Sequence, residues 1–321
     1  MIVGQDKAVE QFSNAWASRR LHHGWLLAGP KGVGKASFAR IAATRVLAEA
    51  AGPPVGLPGL STQPDHPIAR LIAAGSHPDF RWLERLERPT GGLARNISVD
   101  QVRSLGDLLS VTPSMSPWRA IVIDSADDLE ASAANALLKM LEEPPPNTLF
   151  FLVSHAPGRL LPTIRSRCRR LDFERLDSDA MTSLLSCSFP EEKADRIRSL
   201  VEFSNGSIGR AMDIAALDLA PLEGQALAIL RGGDGDNSRR SKLANTLGPK
   251  AAADRYAAFL ELVPGLIAQE AITLEGDARG RALDAYANAR EMVALAPRLS
   301  LDPAATVFQL GGILASVALK P

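Results

Sequence analysis

At 321 residues the chain exceeds one ordinary domain, and its length points to two or three. Its 46% hydrophobic and 22% charged residues predict packed soluble cores rather than a disordered or fibrous chain. Lys+Arg and Asp+Glu number 36 each, a balance that argues against gripping duplex DNA through the chain's own phosphate contacts as the main job.

In chain order, GWLLAG (24–29) is a short apolar run ending in glycine and predicts a strand. From Lys35, KASFARIAATRVLAEA is rich in helix formers and predicts a helix. AGPPVGLPGLSTQPDHP (51–67) has eight Gly or Pro among seventeen residues, which excludes regular structure and predicts an exposed loop. FRWL (80–83) fits a strand. SVDQVRSLGDLLS (98–110) places Val99, Val102, Leu105, Leu108 and Leu109 on one helix face behind Ser98 as N-cap. RAIVIDSADD (119–128) starts as a buried parallel strand and ends in acid. SAANALLKMLEEPPP (132–146) is a helix with Ala134, Leu137, Leu138 and Leu141 on one face, stopped by three prolines. LFFLVS (149–154) reads as a second central strand.

Strands alternating with helices predict an α/β domain with a mostly parallel sheet. After about Phe173 the strands stop, and three short helices follow in DSDAMTSLL, PEEKADRIRSLVEFS and GSIGRAMDIAAL. From about residue 220 only helical patterns remain, interrupted by RGGDGDNS (231–238). The uncharged run Pro303–Leu319 is shorter than the ~20 apolar residues that span a bilayer and predicts a buried helix. Asp6, Lys7 and Glu10 interrupt any signal-peptide core, and the two cysteines, Cys168 and Cys187, form no C-x-x-C pair. The expected setting is a reducing cytoplasm, with no membrane partner.

Three stretches carry chemistry. GPKGVGKA (29–36) matches G-x-x-x-x-G-K-[ST] at Gly29, Gly34 and Lys35, with Gly32 adding backbone freedom, and fails only at Ala36. Amides of such a turn cradle phosphate oxygens, and Lys35 would reach the β- and γ-phosphates. Ala36 supplies no hydroxyl to a Mg²⁺ ion, and Ser37 stands one place late. Asp124 ends the strand IVID about 90 residues downstream, where P-loop enzymes place a Mg²⁺-binding carboxylate. Ser125 follows where an ATPase commonly puts a glutamate, while Asp127 and Asp128 begin the next turn. ATP and Mg²⁺ are therefore uncertain cofactors, and the residues leave open whether nucleotide still binds. Third, RLLPTIRSRCRR (159–170) holds five arginines and no acid; arginine's rigid fork suits phosphate oxygens, including those bound by another chain. His22, His23, His66, His77 and His155 show no metal-ligand spacing, and His66 and His77 read as surface side chains. No metal site is expected.

These residues, with VGQDKAVEQF at the start, SHPDF at 76–80, ANALLKMLEEPPPNTLFFLVSHAPGRLLPTIRSRCRRL and NGSIGRA at 205–211, resemble the delta-prime family of the bacterial DNA polymerase III clamp loader, within AAA+. The resemblance runs over essentially the whole chain and rests most on Ser166-Arg167-Cys168, the family's S-R-C motif. It implies a RecA-like AAA+ domain at 1–173, a small helical lid at 174–218 and an all-α collar at 219–321. It further implies that Arg167 is an arginine finger acting in trans, that Ser154 stands at the sensor-1 position and that Arg210 stands at sensor-2. The implied role is a non-hydrolysing stator of the polymerase III holoenzyme. Its partners would be the gamma/tau and delta subunits, with the sliding clamp and primed DNA reached through the complex. Ala36, Ser125 and a chain ending soon after one collar favour this over the alternative, a gamma/tau-type motor with weak ATPase. A stand-alone branch-migration motor would need a basic DNA-reading domain, which the neutral C-terminal third does not offer. Relatives often carry a four-cysteine zinc module where this chain has 51–67, so zinc is not expected.

Overall fold

The computed structural model describes residues 2–88 and 92–318. It divides into two compact units, Met1–Gly209 and Arg210–Pro321.

In the first unit, α1 (Asp6–Ala17) leads into β1 (Gly24–Ala28), and the phosphate-loop pattern joins β1 to α2 (Lys35–Ala51). Then come α3 (Pro67–Ala73), β2 (Phe80–Leu83), α4 (Val99–Arg103), α5 (Leu105–Ser110), β3 (Arg119–Asp124), α6 (Ala131–Glu142) and β4 (Thr148–Ser154). α7 (Pro162–Ser166), β5 (Arg169–Asp172), α8 (Ser178–Ser188) and α9 (Ala194–Ser204) follow, and α10 (Ile208–Leu217) straddles the division. The five strands form one sheet in the order β2-β3-β4-β1-β5, every pair parallel.

Strand alternation sends side chains to two faces. Trp25, Leu27, Phe151 and Val153 pack with Phe12 of α1 and Phe38, Ala42 and Val46 of α2. Leu26, Ile121, Ile123, Phe150 and Leu152 face the other way, against Val102, Leu105, Leu137, Leu141 and Ile164. Burial on both faces explains why β1, β3 and β4 read as continuous apolar runs rather than alternating ones.

The predicted helix at 98–110 is two helices broken at Ser104, with Ser98 and Gln101 forming a reciprocal capping box at the first. α6 stops at Glu142 because Glu143 precedes Pro144 and leaves the helical region, with φ −127° and ψ 67°. β5 was not anticipated; its arginine-rich sequence hides an edge strand whose only buried residue is Leu171. The 51–67 segment is mostly exposed but tied down: Arg45 donates to the carbonyls of Leu57 and Ser61, and Leu60 enters the core.

The reading of His66 and His77 as surface side chains is wrong; they are 6% and 1% exposed. Each ring caps a local turn, His66 Nδ1 accepting from the Ile68 amide at 3.2 Å and His77 Nδ1 from the Asp79 amide at 3.1 Å. Loop composition does not show that a histidine substitutes for backbone in satisfying buried amides.

The second unit is helical. α11 (Ala220–Gly232), α12 (Ser238–Leu247), α13 (Ala253–Thr273), α14 (Gly276–Leu299) and α15 (Pro303–Ala315) surround a core that includes Leu222, Ile229, Leu243, Phe259, Leu266, Val307 and Leu310. α15 is the buried helix expected in the 303–319 run, whose last residue, Leu319, lies outside the described residues. Its Gly311 lets α12 approach closely, since a Cβ there would stand 2.6 Å from Arg240 Cβ.

Candidate functional site

The phosphate-loop pattern lies at the carboxyl edge of the parallel sheet, the edge at which open α/β sheets bind ligands. Gly29, Gly32 and Gly34 adopt φ of 155°, 77° and 98°. A Cβ at Gly29 would lie 2.2 Å from the Phe173 carbonyl oxygen, and one at Gly32 2.3 Å from Ser207 Oγ. Gly34 has open space around it, so its glycine answers to backbone alone: it is the left-handed N-cap of α2.

Lys35 is 3% exposed. Its ammonium donates to the Gly29 carbonyl at 2.7 Å and to the Pro30 carbonyl. Burial pushes its pKa down to about 8, against the opposing pull of Asp124 and Asp127. An incoming polyphosphate would meet loop amides, the N-terminus of a 17-residue helix and this lysine, a donor set that fits phosphate oxygens. The same donor set fits magnesium poorly, because Ala36 carries no oxygen.

Asp124 ends β3, and burial, then the charge of Glu84, holds its carboxyl above the usual carboxylate range while Lys35 opposes them. Ser125 is buried and donates to Asp128 Oδ2 at 3.1 Å; Asp128 also pairs with Arg85 at 3.4 Å. Asp127 has a role the sequence did not reveal. Its carboxylate accepts from Ser154 Oγ at 2.9 Å and from the amides of His155 and Ala156 at 2.5 and 3.3 Å, joining the turn after β3 to the end of β4. Ser154, the sensor-1 position, is fully buried with its hydroxyl proton committed to Asp127. His155 is part-buried beside the loop, its pKa lowered first by burial and then by Lys35. No spacing rule would have picked out either residue; the signal is only an acid three positions past Asp124.

Gly29, Gly32, Gly34, Lys35, Asp124 and Ser154 therefore gather at one sheet edge. Arg167 does not join them. It follows α7 and precedes β5, at the opposite edge, where its carbonyl oxygen and Cys168 Sγ stand 3.1 Å from the Cβ position of Gly24, the first residue of β1. The five residues of β1 separate the two edges by roughly 16 Å at ~3.3 Å per residue. The Arg167 guanidinium pairs with Glu142 at 2.7 Å and donates to the Thr163 carbonyl at 3.1 Å, with its side chain about one-third exposed. Ser166 Oγ also donates to Thr163, and burial pushes the Cys168 thiol up to about 12, which makes it packing rather than a nucleophile. Of the other arginines in the stretch, Arg170 pairs with Asp172 at 2.6 Å and Arg169 lies over the Trp25 ring. Arg210 opens the second unit, where its guanidinium meets the fully buried Glu223 at 3.4 Å. Among the described residues, no cluster of three or more His, Cys, Asp or Glu is placed to hold a metal ion. No helix among them is long and apolar enough to cross a membrane.

The chain is similar to the DNA polymerase III subunit delta' of Pseudomonas aeruginosa, with 36% identity over 58% of this chain and 53% of that protein. It is similar also to the DNA polymerase III subunit tau of Bacillus subtilis, with 30% identity over 82% of this chain and 45% of that one. The chain thus spans about half the length of these relatives. A solved DNA polymerase III gamma-subunit-related protein from Thermotoga maritima overlaps 96% of this chain and 98% of its own, at 16% identity and a TM-score of 0.49. The sequence model of the family described as DNA polymerase III, delta subunit, matches residues 4–177, the part that holds the sheet, the loop, Asp124 and the S-R-C motif. With that match covering more than half of its length, the chain belongs to the DNA polymerase III delta-subunit family, in the delta-prime and gamma/tau group of AAA+ clamp-loader proteins.

Proposed function

We propose that this chain is a non-hydrolysing stator of the DNA polymerase III clamp loader that supplies Arg167 in trans to the ATP site of a neighbouring gamma/tau subunit. The observation that carries this reading is the separation of Arg167 from the chain's own phosphate loop by the length of β1, with the two at opposite ends of the strands. A guanidinium at that edge cannot serve Lys35 and its ligand, so a phosphate that it stabilises must belong to another chain. Ala36 and Ser125 support the same conclusion from the other side: the loop lacks a magnesium hydroxyl, and the strand end lacks a carboxylate to activate water. Under this reading the loop retains a phosphate cradle without turnover. Residues 1–173 act as the AAA+ domain, 174–218 as the lid and 219–321 as the collar through which the ring assembles. The remaining partners are delta, the sliding clamp and primed DNA.

The test is a reconstituted loader carrying Arg167→Lys. Lysine keeps the charge but loses the planar fork. DNA- and clamp-stimulated ATP hydrolysis should fall by about tenfold or more while the ring stays assembled. Unchanged hydrolysis and clamp loading would remove the finger. The tau relatives favour a second reading, a weak motor, through their longer aligned stretch. That reading requires ATP turnover by the isolated chain that is lost in Lys35→Ala.

A further inference from the structure

The phosphate loop shows an unusual division of its backbone groups. Three successive carbonyls accept hydrogen bonds from outside the loop. Lys31 O accepts from Ser207 Oγ at 3.0 Å, Gly32 O from the Gly209 amide at 2.9 Å, and Val33 O from Gln5 Nε2 at 3.2 Å. The donors come from Gln5 before α1 and from the turn into α10 and its first residues, about 200 residues further on, and all lie in the first unit. Lys35 takes the two preceding carbonyls, of Gly29 and Pro30, and the Phe38 amide takes that of Gly34. Every carbonyl from Gly29 to Gly34 thus has a protein donor.

The amides behave in the opposite way. Across a planar trans peptide the C=O of one residue and the N–H of the next point in opposite directions. The donors that hold the carbonyls of residues 31, 32 and 33 therefore turn the N–H groups of Gly32, Val33 and Gly34 away from themselves. These three amides donate to no protein acceptor among the described residues, although Val33 is 1% exposed. Buried amides are nearly always satisfied, so the free amide of buried Val33, flanked by two more in half-buried Gly32 and Gly34, marks a place prepared for an external acceptor.

The supports are themselves fixed. Gln5 is 5% exposed; the same Nε2 also donates to the Glu174 carbonyl at 2.8 Å, and its Oε1 accepts from the Glu174 amide at 3.3 Å. Ser207 is 6% exposed. Gly209 must be glycine for the contact, since a Cβ there would stand 2.9 Å from Gly32 Cα.

We infer that Gln5, Ser207 and Gly209 are positioning residues of the phosphate loop, holding three peptide planes from outside so that the amides of Gly32, Val33 and Gly34 converge on the diphosphate of a bound nucleotide. The inference rests on the reading that the loop retains a phosphate cradle, and is independent of Arg167. It also assigns a role to the first residues of the chain and to the N-G-S-I-G turn that neither motif matching nor the finger requires.

The experiment is calorimetric titration of the full chain with ADP in EDTA, with adenosine as a phosphate-free control. The wild type, Ser207→Ala, Gln5→Glu and Lys35→Ala are compared, and the folded fraction of each is followed by thermal melting. The wild type should bind ADP without magnesium. Ser207→Ala, which removes one hydroxyl and is the mildest change, should stay folded and weaken ADP by about two- to tenfold, the worth of one hydrogen bond. Gln5→Glu, which replaces a donor by a carboxylate oxygen facing Val33 O, should weaken it further. A wild type that binds no ADP overturns the inference while leaving the finger to its own test. So does a Ser207→Ala chain that binds as tightly as wild type. A loss that merely tracks the unfolded fraction would reduce these residues to structural supports and overturn it too.

Discussion

Replacing Lys35 by methionine should change how the stability of the first unit depends on pH. The ammonium is buried against the carbonyls of Gly29 and Pro30, and its pKa falls from 10.5 in a free side chain to about 8. Between those values the unfolded chain holds the proton and the folded chain does not, so wild-type stability rises with pH across that window. The full window of 2.5 units corresponds to about 3.4 kcal/mol at ~1.36 kcal/mol per unit. About 2 kcal/mol of it falls between pH 7 and pH 9.5. Methionine keeps the apolar stem and removes the titrating group. Guanidinium melts at those two pH values should therefore show the wild type gaining about 2 kcal/mol on Lys35→Met as pH rises. All four tryptophans, Trp16, Trp25, Trp82 and Trp118, lie in the first unit, so their fluorescence reports its unfolding alone. A stability difference that is the same at both pH values would refute the buried, loop-bound lysine.

Two further outcomes follow from charges and thiols away from the loop. With the Cys168 thiol held up at about 12 and Cys187 exposed, a disulfide reagent at about pH 8 should titrate one thiol rapidly in the native chain and two in denaturant; two fast native thiols would contradict the packing of Cys168 against β1. Arg210→Met leaves the carboxylate of Glu223 buried without its guanidinium and should cost about 3–5 kcal/mol in the second unit, read from the helical circular dichroism transition that tryptophan fluorescence of the first unit does not share. The double variant Arg210→Met with Glu223→Leu should recover most of that loss, and a double loss equal to the sum of the Arg210→Met and Glu223→Leu losses would show that the pair carries no coupling.

Much of the first unit was legible because its signals are local. β1, β3 and β4 announce themselves as apolar runs, Ser98 with Gln101 announces a capped helix, and three prolines end α6. β5 was hidden because an edge strand of arginines buries one residue and shows no periodicity. The break at Ser104 within 98–110 leaves no trace in the pattern, since Val102, Leu105 and Leu108 keep facing the core across it. The burial of His66 and His77 is hidden in the sequence for a related reason. Loop composition reports the absence of regular structure, while burial depends on which backbone amides the fold leaves in need of an acceptor.

By itself the sequence determined the chemical types at the candidate site. The glycines and Lys35 stand at the spacing of a phosphate loop, Ala36 lacks the hydroxyl, Ser125 stands where a carboxylate would, and arginine fills the S-R-C motif. Those are properties of residue identity and short spacing, which a linear chain displays directly. Which groups meet was decided only by the tertiary structure. Parallel pairing of β1 with β4 and β5 puts Lys35 and Arg167 on opposite edges of one sheet. Asp127 is recruited to Ser154 across 27 residues, and Gln5 and Ser207 reach the same loop from opposite ends of the unit. The physical reason is that a peptide plane or a carboxylate gains direction only from the partner that holds it, and here those partners are distant in sequence.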